Sequence, residues 1–374
     1  MANNKLQKTD NIGDFMSKEL LLSEYDPVSM QRTPESEVLV PKFPVFDSHI
    51  HIGELSVGDD AYGFGHIGAI VDSLKESGVI GVVNLKMFWG EALREHLEAL
   101  SGYEDFILTF ASVDVTRLEE PGFARYVDDL VKSFKSMGIR GLKLWKNIGC
   151  TLKDSSGTYI GPDDDRLRPI WDAAAKYGLP VLFHIADPKS FFDPVDKFNE
   201  LYEQLREHPD WSFYNESGTP PGVGRRFTFE DLIEQQDALL TRNPNTTFII
   251  PHVGSYSEDL AWVGAQLDKH PNMYIDTAAR INLIGRQPYT AREFFLNYRD
   301  RILFGTDFWQ NGGGEQALGF YADHYRFFET FDEYFRPIRS WGRSQGRWNV
   351  YGLGLPDEVL RKFYSENALR LLGL

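Results

Sequence analysis

Two histidines separated by one residue end the first apolar run of the chain and give its strongest sign of chemistry. The segment DSHIH, residues 47–51, directly follows the apolar residues 43–46. Side chains alternate between the two faces of a strand, so we expect Asp47, His49 and His51 to point the same way. Two imidazoles on one face of a strand can share a metal ion.

Three further residues of metal-binding types come at the ends of later apolar runs: His184, His252 and Asp307. In a closed barrel the last strand lies beside the first, so Asp307 is expected next to the histidine pair. Three imidazoles and a carboxylate with room for water are typical of an open catalytic zinc site. His252 would then remain as a general acid or base. Any one of these residues alone fits an ordinary buried position, but the whole set in register favours a metal site.

The elements that must position these residues form a repeated unit of amphipathic helix, short turn and apolar strand. Each strand reads as a continuous apolar run, which is typical of parallel strands buried on both faces. The predicted strands cover residues 45–52, 80–85, 106–110, 139–144, 180–184, 247–252, 273–276 and 302–305. The predicted helices cover 67–77, 91–100, 123–137, 167–177, 229–241, 260–269, 291–298 and 356–371.

Turn and capping residues agree with these boundaries. Gly78, Gly138 and Gly178 each follow a helical run and precede a strand, where glycine adopts a positive φ at little cost. Thr228 with Asp231, and Thr290 with Glu293, have the spacing of capping boxes at helix starts. The first pair is the weaker match, because glutamate or glutamine is usual at the fourth position.

Eight strands alternating with helices predict an α/β fold, a (β/α)₈ TIM barrel. Such a barrel takes about 250 residues, and the excess lies in three places. We expect residues 1–42 to be an N-terminal extension that packs on a barrel formed by 43–374. Long insertions are predicted at 188–226 after strand five and at 308–355 after strand eight. Both follow strand carboxyl ends, where barrel enzymes place their active sites.

Composition narrows the classes of partner and compartment. The 374 residues include 39 basic and 55 acidic side chains, a net charge of −16, which disfavours nucleic acid and anionic membranes as partners. The single cysteine, Cys150, cannot form an internal disulfide. We find neither the apolar core of a signal peptide nor about 20 consecutive apolar residues, so we expect a cytoplasmic protein. A homo-oligomer is left open.

Five motifs in order give a family resemblance that spans nearly the whole chain from residue 43. They are FDSHIH, GLKLW, PVLFHIADP, FIIPHVG and LFGTDF. The chain resembles the amidohydrolase superfamily, specifically the amidohydrolase-related branch that includes aminocarboxymuconate-semialdehyde decarboxylase. The resemblance implies that one divalent metal, zinc first with manganese or iron as alternatives, is bound by four residues: His49, His51, His184 and Asp307. It also implies that His252 is catalytic, and that Asp307 takes a proton from the metal-activated water in hydrolytic members.

Four further residues are candidates for contact with substrate. Lys143, on strand four, corresponds in position to a carboxylated lysine that bridges two metals in binuclear members. We favour instead a lysine that makes its own hydrogen bonds or contacts substrate. Arg280, after strand seven, has the fork that binds a carboxylate, and an ion pair with a loop acid is the equal alternative. Trp145 and Trp309 follow strand ends and are candidates for the walls of an apolar pocket.

These expectations lead to three functions in order of preference. The first is a metal-dependent hydrolase that acts on a small-molecule amide, lactone or ester through a metal-activated water. The second is a non-oxidative decarboxylase, a carbon–carbon lyase, acting on a small carboxylate, aromatic ones included. Arg280 and the aromatic residues mildly favour it. The third is a non-catalytic barrel that binds a metal. Fold and metal do not by themselves identify the substrate.

Overall fold

The computed structural model describes residues 20–21, 24–25, 27–52, 67–214, 226–309, 315–338 and 345–374. The chain divides into two compact units, Met1–Pro34 and Glu35–Leu374. The boundary between an extension and a barrel at residues 42 and 43 stays a prediction. None of the described helices is both long and apolar enough to cross a membrane.

Parallel strands in sequential order form the centre of the second unit, which confirms the (β/α)₈ barrel. β9 follows β8 after residues 304–307 and pairs with β1, so β8 and β9 together complete strand eight and close the barrel. The strands are β1 Val45–His51, β2 Val79–Asn84, β3 Ile107–Ala111, β4 Gly141–Leu144, β5 Val181–Phe183, β6 Phe248–Ile250, β7 Met273–Asp276, β8 Ile302–Leu303 and β9 Phe308–Trp309.

Alternating strand residues divide the apolar core into an inner and an outer cluster. Leu108, Phe110 and Ile249 belong to the inner cluster, together with Ala368 of the C-terminal helix. Their neighbours Ile107 and Ala111 belong to the outer cluster, which includes the helices. This period of two is the burial pattern that the continuous apolar runs predict for a closed barrel.

The predicted helices are all present, with ends that differ by at most a few residues. The helices that follow β1 to β7 are Ile67–Glu76, Gly90–Ala99, Phe123–Ser136, Arg168–Tyr177, Phe229–Arg242, Leu260–Lys269 and Pro288–Asn297. The segment after β5 also contains Tyr202–Glu207, and the segment after β9 contains Glu315–Glu329. The chain ends in Asp357–Arg361, a π-helical turn Lys362–Glu366, and Asn367–Leu372.

The insertion predicted at 308–355 does not begin where the sequence suggested. Phe308 and Trp309 pair with Ile50 and His51 of β1 as β9, so they belong to the barrel wall. β8 ends at Leu303 and β9 begins at Phe308. Gly305, Thr306 and Asp307 interrupt the apolar run between them, so the sequence did not indicate this second strand segment.

The glycine turns and one of the two capping boxes are confirmed. Gly78, Gly138 and Gly178 have φ angles of 83°, 81° and 65°. The Thr228 hydroxyl accepts from the Asp231 backbone N–H at 3.1 Å, and the Asp231 carboxylate accepts from the Thr228 N–H at 2.8 Å.

The capping box predicted at Thr290 is wrong. The helix begins earlier, at Pro288, so Thr290 lies inside its first turn. Proline suits this first position because its fixed φ is already helical and its missing N–H is not needed there.

We predict that Thr228→Ala lowers the free energy of unfolding by about 1 kcal/mol, since it removes the acceptor for a helix-end N–H. Thr290→Ala is the matched control and should cost nothing, because the exposed Thr290 side chain does not cap the helix. Urea unfolding measures both variants. An equal loss in both would contradict the assignment of Thr228 as the cap.

Candidate metal centre

A β-bulge in β1 turns the two histidines toward the mouth of the barrel. Asp47 pairs with Val82, whereas Ile50 pairs with Asn84, so β1 has one more residue than β2 over this stretch. Such a bulge interrupts the regular alternation of side chains. The expectation that Asp47 points the same way as the histidines is therefore wrong, because the Asp47 carboxylate accepts from the Tyr321 hydroxyl of the helix Glu315–Glu329.

The His49 ring is held in place by the buried carboxylate of Asp276. Its Nδ1 lies 2.7 Å from Oδ2 of Asp276, the last residue of β7. A carboxylate can only accept, so Nδ1 donates to it, and Nε2 is the ring nitrogen left for a metal. That Nε2 lies 3.5 Å from Oδ1 of Asp307.

His252 lies on a left-handed turn and not on a strand as predicted. β6 ends at Ile250, and His252 has a φ of 58°. The backbone N–H of His252 donates to Asp276 Oδ1 at 2.9 Å. Its ring Nδ1 lies 2.9 Å from the Ala278 carbonyl oxygen, which can only accept. The Nε2 of the neutral ring therefore keeps its lone pair and faces His184.

His184 is fixed in the same manner by Asp187, three residues further along the chain. His184 Nε2 lies 3.2 Å from Asp187 Oδ1, and the other carboxylate oxygen pairs with the Lys146 ammonium. The proton on Nε2 leaves a lone pair on Nδ1, which lies 3.3 Å from Nε2 of His252. Two nitrogen lone pairs therefore face each other at hydrogen-bond distance with no proton between the neutral rings.

Asp307 completes the group beside β1. It has a φ of 62°, and its backbone N–H donates to the His49 carbonyl oxygen at 2.8 Å. Its Oδ1 lies 3.2 Å from Nε2 of His51. Of its side-chain surface 21% is exposed, against 1% for His49 and 10% for His51. Asp307 is thus the member of this group most accessible from the mouth.

These contacts bring acceptor atoms together without enough donors. One ligand atom from each of His49, His252 and Asp307 lies within 4.8 Å of the others. His184 joins the group through His252, and His51 joins it through Asp307. Neutral imidazole nitrogens and a carboxylate oxygen are ligands that suit a divalent transition metal, so the residues fit such an ion.

Burial keeps the imidazoles in the form that binds a metal. It lowers the pKa of His184 and of His51 to about 4, although Asp187 and Asp307 act in the opposite direction. The pKa of His252 is also held well below its usual value, by burial first and then by neighbouring positive charge. Burial works against the Asp307 carboxylate, but the surrounding histidines outweigh it and hold its pKa well below the usual range.

The four residues proposed to contact substrate differ in how far they are buried. Lys143 is fully buried on β4, and burial lowers its pKa to about 8. Arg280 is 7% exposed, and its guanidinium donates to the Ala279 carbonyl oxygen at 2.9 Å. Trp309 stacks on His51 with ring centroids 4.4 Å apart, whereas Trp145 is 41% exposed.

Two residues that support the site were not identified from the sequence. Asp276 holds His49, and Lys146 holds the Asp187 carboxylate that in turn contacts His184. Asp276 ends the apolar run 273–276 as His184 ends its own, so the strand-end rule carried a signal for it. Lys146 follows Trp145 in a loop and has no such signal.

A family model described as "Amidohydrolase" matches residues 92–374. The chain belongs to the amidohydrolase family. This confirms the resemblance found in its motifs. No curated protein matches the chain in sequence.

Solved structures with the same fold include both decarboxylases and a protein of unknown activity. A 2,6-dihydroxybenzoate decarboxylase bound to 2,6-dihydroxybenzoate is 16% identical, with a TM-score of 0.53 over 89% of this chain and 100% of its own. A dihydroxybenzoic acid decarboxylase from Polaromonas sp. JS666, with bound manganese, is 14% identical, with a TM-score of 0.52 over 89% and 97%. An uncharacterised TIM-barrel protein from Bordetella bronchiseptica is 15% identical, with a TM-score of 0.52 over 88% and 99%. At these identities the likeness concerns the fold alone.

We predict that Gly305→Ala weakens metal binding by about tenfold or more, the usual effect of disturbing the partners of metal ligands. A Cβ at this position would lie 3.0 Å from the Cβ of His49 and 3.1 Å from that of Asp276, so the pair must shift. Titration with zinc measures the effect.

Gly319→Ala is the control for this variant. It is exposed on the helix Glu315–Glu329, and its added Cβ would meet nothing within 4 Å. It should bind zinc as the wild type does. Unchanged zinc affinity in Gly305→Ala would contradict the close packing of His49 against Asp276.

Proposed function

We propose that this chain is a metal-dependent hydrolase that acts on a small molecule, an amide, lactone or ester. The observation that carries the proposal is the convergence of imidazole nitrogens and the Asp307 carboxylate at the mouth of the barrel. We assign His49, His51, His184 and Asp307 as ligands of one divalent ion, with zinc as first choice. Such an ion supplies Lewis acidity and lowers the pKa of a water molecule.

The chain's own residues then have separate tasks. Asp307, the exposed member, is placed to accept a proton from water. His252 has its Nδ1 proton committed to Ala278, so its Nε2 is free to accept a proton and to return it to the leaving group. Trp309 donates its indole N–H to Asp307 at 3.2 Å and covers His51, which shields that side of the centre from water.

Arg280 is the residue that favours a substrate with a carboxylate. Its guanidinium is buried, and among the described residues no carboxylate lies within ion-pair distance of it, although Asp187 and Glu258 stabilise its charge from further away. A buried guanidinium is costly without an anionic partner, and a substrate carboxylate would supply one.

The same observation makes decarboxylation the second candidate. There the carboxylate held near the centre would be the group that leaves as CO₂, and a residue of the chain would deliver a proton to carbon. Hydrolysis consumes water and decarboxylation does not. Turnover of a panel of esters, lactones and carboxylates in ¹⁸O-water, with CO₂ measured in parallel, separates the two reactions.

We predict about one divalent ion per chain in protein purified without chelators, measured by plasma mass spectrometry. His51→Ala should lower this occupancy sharply, because it removes a ligand. His252→Ala should keep the metal but lose about a hundredfold or more of the activity, since a general acid or base is removed. Full activity in the His252 variant would overturn its assignment, and absence of metal after reconstitution would leave a binding barrel as the better account.

We predict that Arg280→Met raises the KM for a carboxylate-bearing substrate by about tenfold or more, since a charge-assisted pair contributes about 1.5–3 kcal/mol. The KM for the matching methyl ester should change little. Arg299→Met is the control, because this exposed arginine also donates to a backbone carbonyl but lies before β8, away from the mouth. Equal KM changes for acid and ester would contradict a carboxylate contact by Arg280.

A further inference from the structure

We propose that Asp276 is a positioning residue whose two carboxylate oxygens set the proton on the His49 ring and the conformation of the His252 turn. The inference rests on the proposed metal-dependent function for its purpose, but the contacts that carry it belong to the chain alone. Asp276 ends β7, between the strands that supply His252 and Asp307.

The two oxygens of Asp276 have different partners. Oδ2 accepts from Nδ1 of His49 at 2.7 Å. Oδ1 accepts from the backbone N–H of His252 at 2.9 Å and from that of Ala278 at 3.1 Å. Asp276 has no exposed surface, so water does not compete for these bonds.

The Oδ2 contact decides which nitrogen of His49 can bind a cation. Because a carboxylate can only accept, Nδ1 of His49 donates to Asp276, and Nε2, which lies 3.5 Å from Asp307 Oδ1, is the nitrogen left to bind a cation. If an N–H₂ group stood in place of Oδ2, Nδ1 would have to accept. The proton would then move to Nε2, where it would block a metal.

The Oδ1 contact stabilises the left-handed backbone conformation at His252 and Val253, which is unfavourable without such a contact. His252 and Val253 both have φ of 58°, and β-branched valine is rarely found in that region. Asp276 fixes the start of this turn at His252 and also fixes Ala278, whose carbonyl holds the His252 ring. The Asp276 side chain therefore fixes the positions of both Nε2 of His49 and Nε2 of His252.

The substitution Asp276→Asn tests these hydrogen-bonding roles without changing the packing of the side chain. Asparagine has the shape of aspartate but only one acceptor oxygen. That oxygen is expected to face the two backbone N–H groups, which leaves the amide N–H₂ against His49. Asp276→Asn should therefore weaken zinc binding by about tenfold or more and move the His49 proton from Nδ1 to Nε2.

Asp47→Asn is the matched control. Asp47 is equally buried and accepts from the His49 backbone N–H at 3.0 Å, but its other partners are Thr306 and Tyr321 and not an imidazole ring. An asparagine oxygen can keep the backbone contacts while its N–H₂ donates to the two hydroxyls. This variant should bind zinc within about twofold of the wild type.

Calorimetric zinc titration and ¹⁵N spectra of histidine-labelled, metal-free protein test the proposal. Selective loss of zinc affinity in Asp276→Asn, with a shifted His49 proton, supports it. Equal losses in both variants, or wild-type affinity in Asp276→Asn, overturn it.

The experiment also distinguishes failure of the proposed function from failure of the proposed role of Asp276. If wild-type protein binds no zinc, the proposed function fails, but the His49 spectrum still tests the role of Asp276. If Asp276→Asn does not fold, the wild-type spectrum decides: a proton on Nδ1 of His49 supports the proposal, and a proton on Nε2 overturns it.

Discussion

The arrangement at the mouth of this barrel depends on one electrostatic constraint. The imidazoles of His49, His184 and His252 each donate a ring N–H to an acceptor on the side away from the candidate metal site. Asp276 holds the Nδ1 proton of His49, the Ala278 carbonyl holds that of His252, and Asp187 holds the Nε2 proton of His184. The other ring nitrogen of each of these histidines points inward, and the lone pairs of His184 and His252 face each other at 3.3 Å. Lone pairs this close repel one another, so a cation stabilises the arrangement and a neutral apolar ligand does not.

The backbone at the ends of three neighbouring strands is built around the same constraint. His252, Ala279 and Asp307, after β6, β7 and β8, all have positive φ. Positions of this kind cost about 1–3 kcal/mol each and persist only where neighbouring contacts fix them. Here the contacts are mutual: Asp276 binds the His252 N–H, and the Thr306 carbonyl accepts from the Ala279 N–H at 3.3 Å. The strain is therefore concentrated where the candidate metal ligands lie.

The sequence was sufficient for what depends on one strand or helix at a time. Apolar runs predicted the strands, and residue types at strand ends predicted the histidines and Asp307. What it did not show depends on the register between elements. The bulge that separates Asp47 from His49 is visible only against β2, and the contact between Asp276 and His49 joins residues of β7 and β1. Similarly, Thr290 matched a capping box in sequence, but a proline two residues earlier had already begun the helix.

Exposure to solvent differs among the side chains of the candidate site. His49 and His252 are almost fully buried, whereas 21% of the Asp307 side chain and 37% of Trp309 remain accessible. A small molecule that entered the site would therefore meet Asp307 and the Trp309 indole first. Arg280 is 7% exposed and lies close enough to lower the pKa of His252, so only a group that enters the site could contact it. A carboxylate bound there would be largely desolvated, which makes recognition of its charge stronger than the same contact on an open surface.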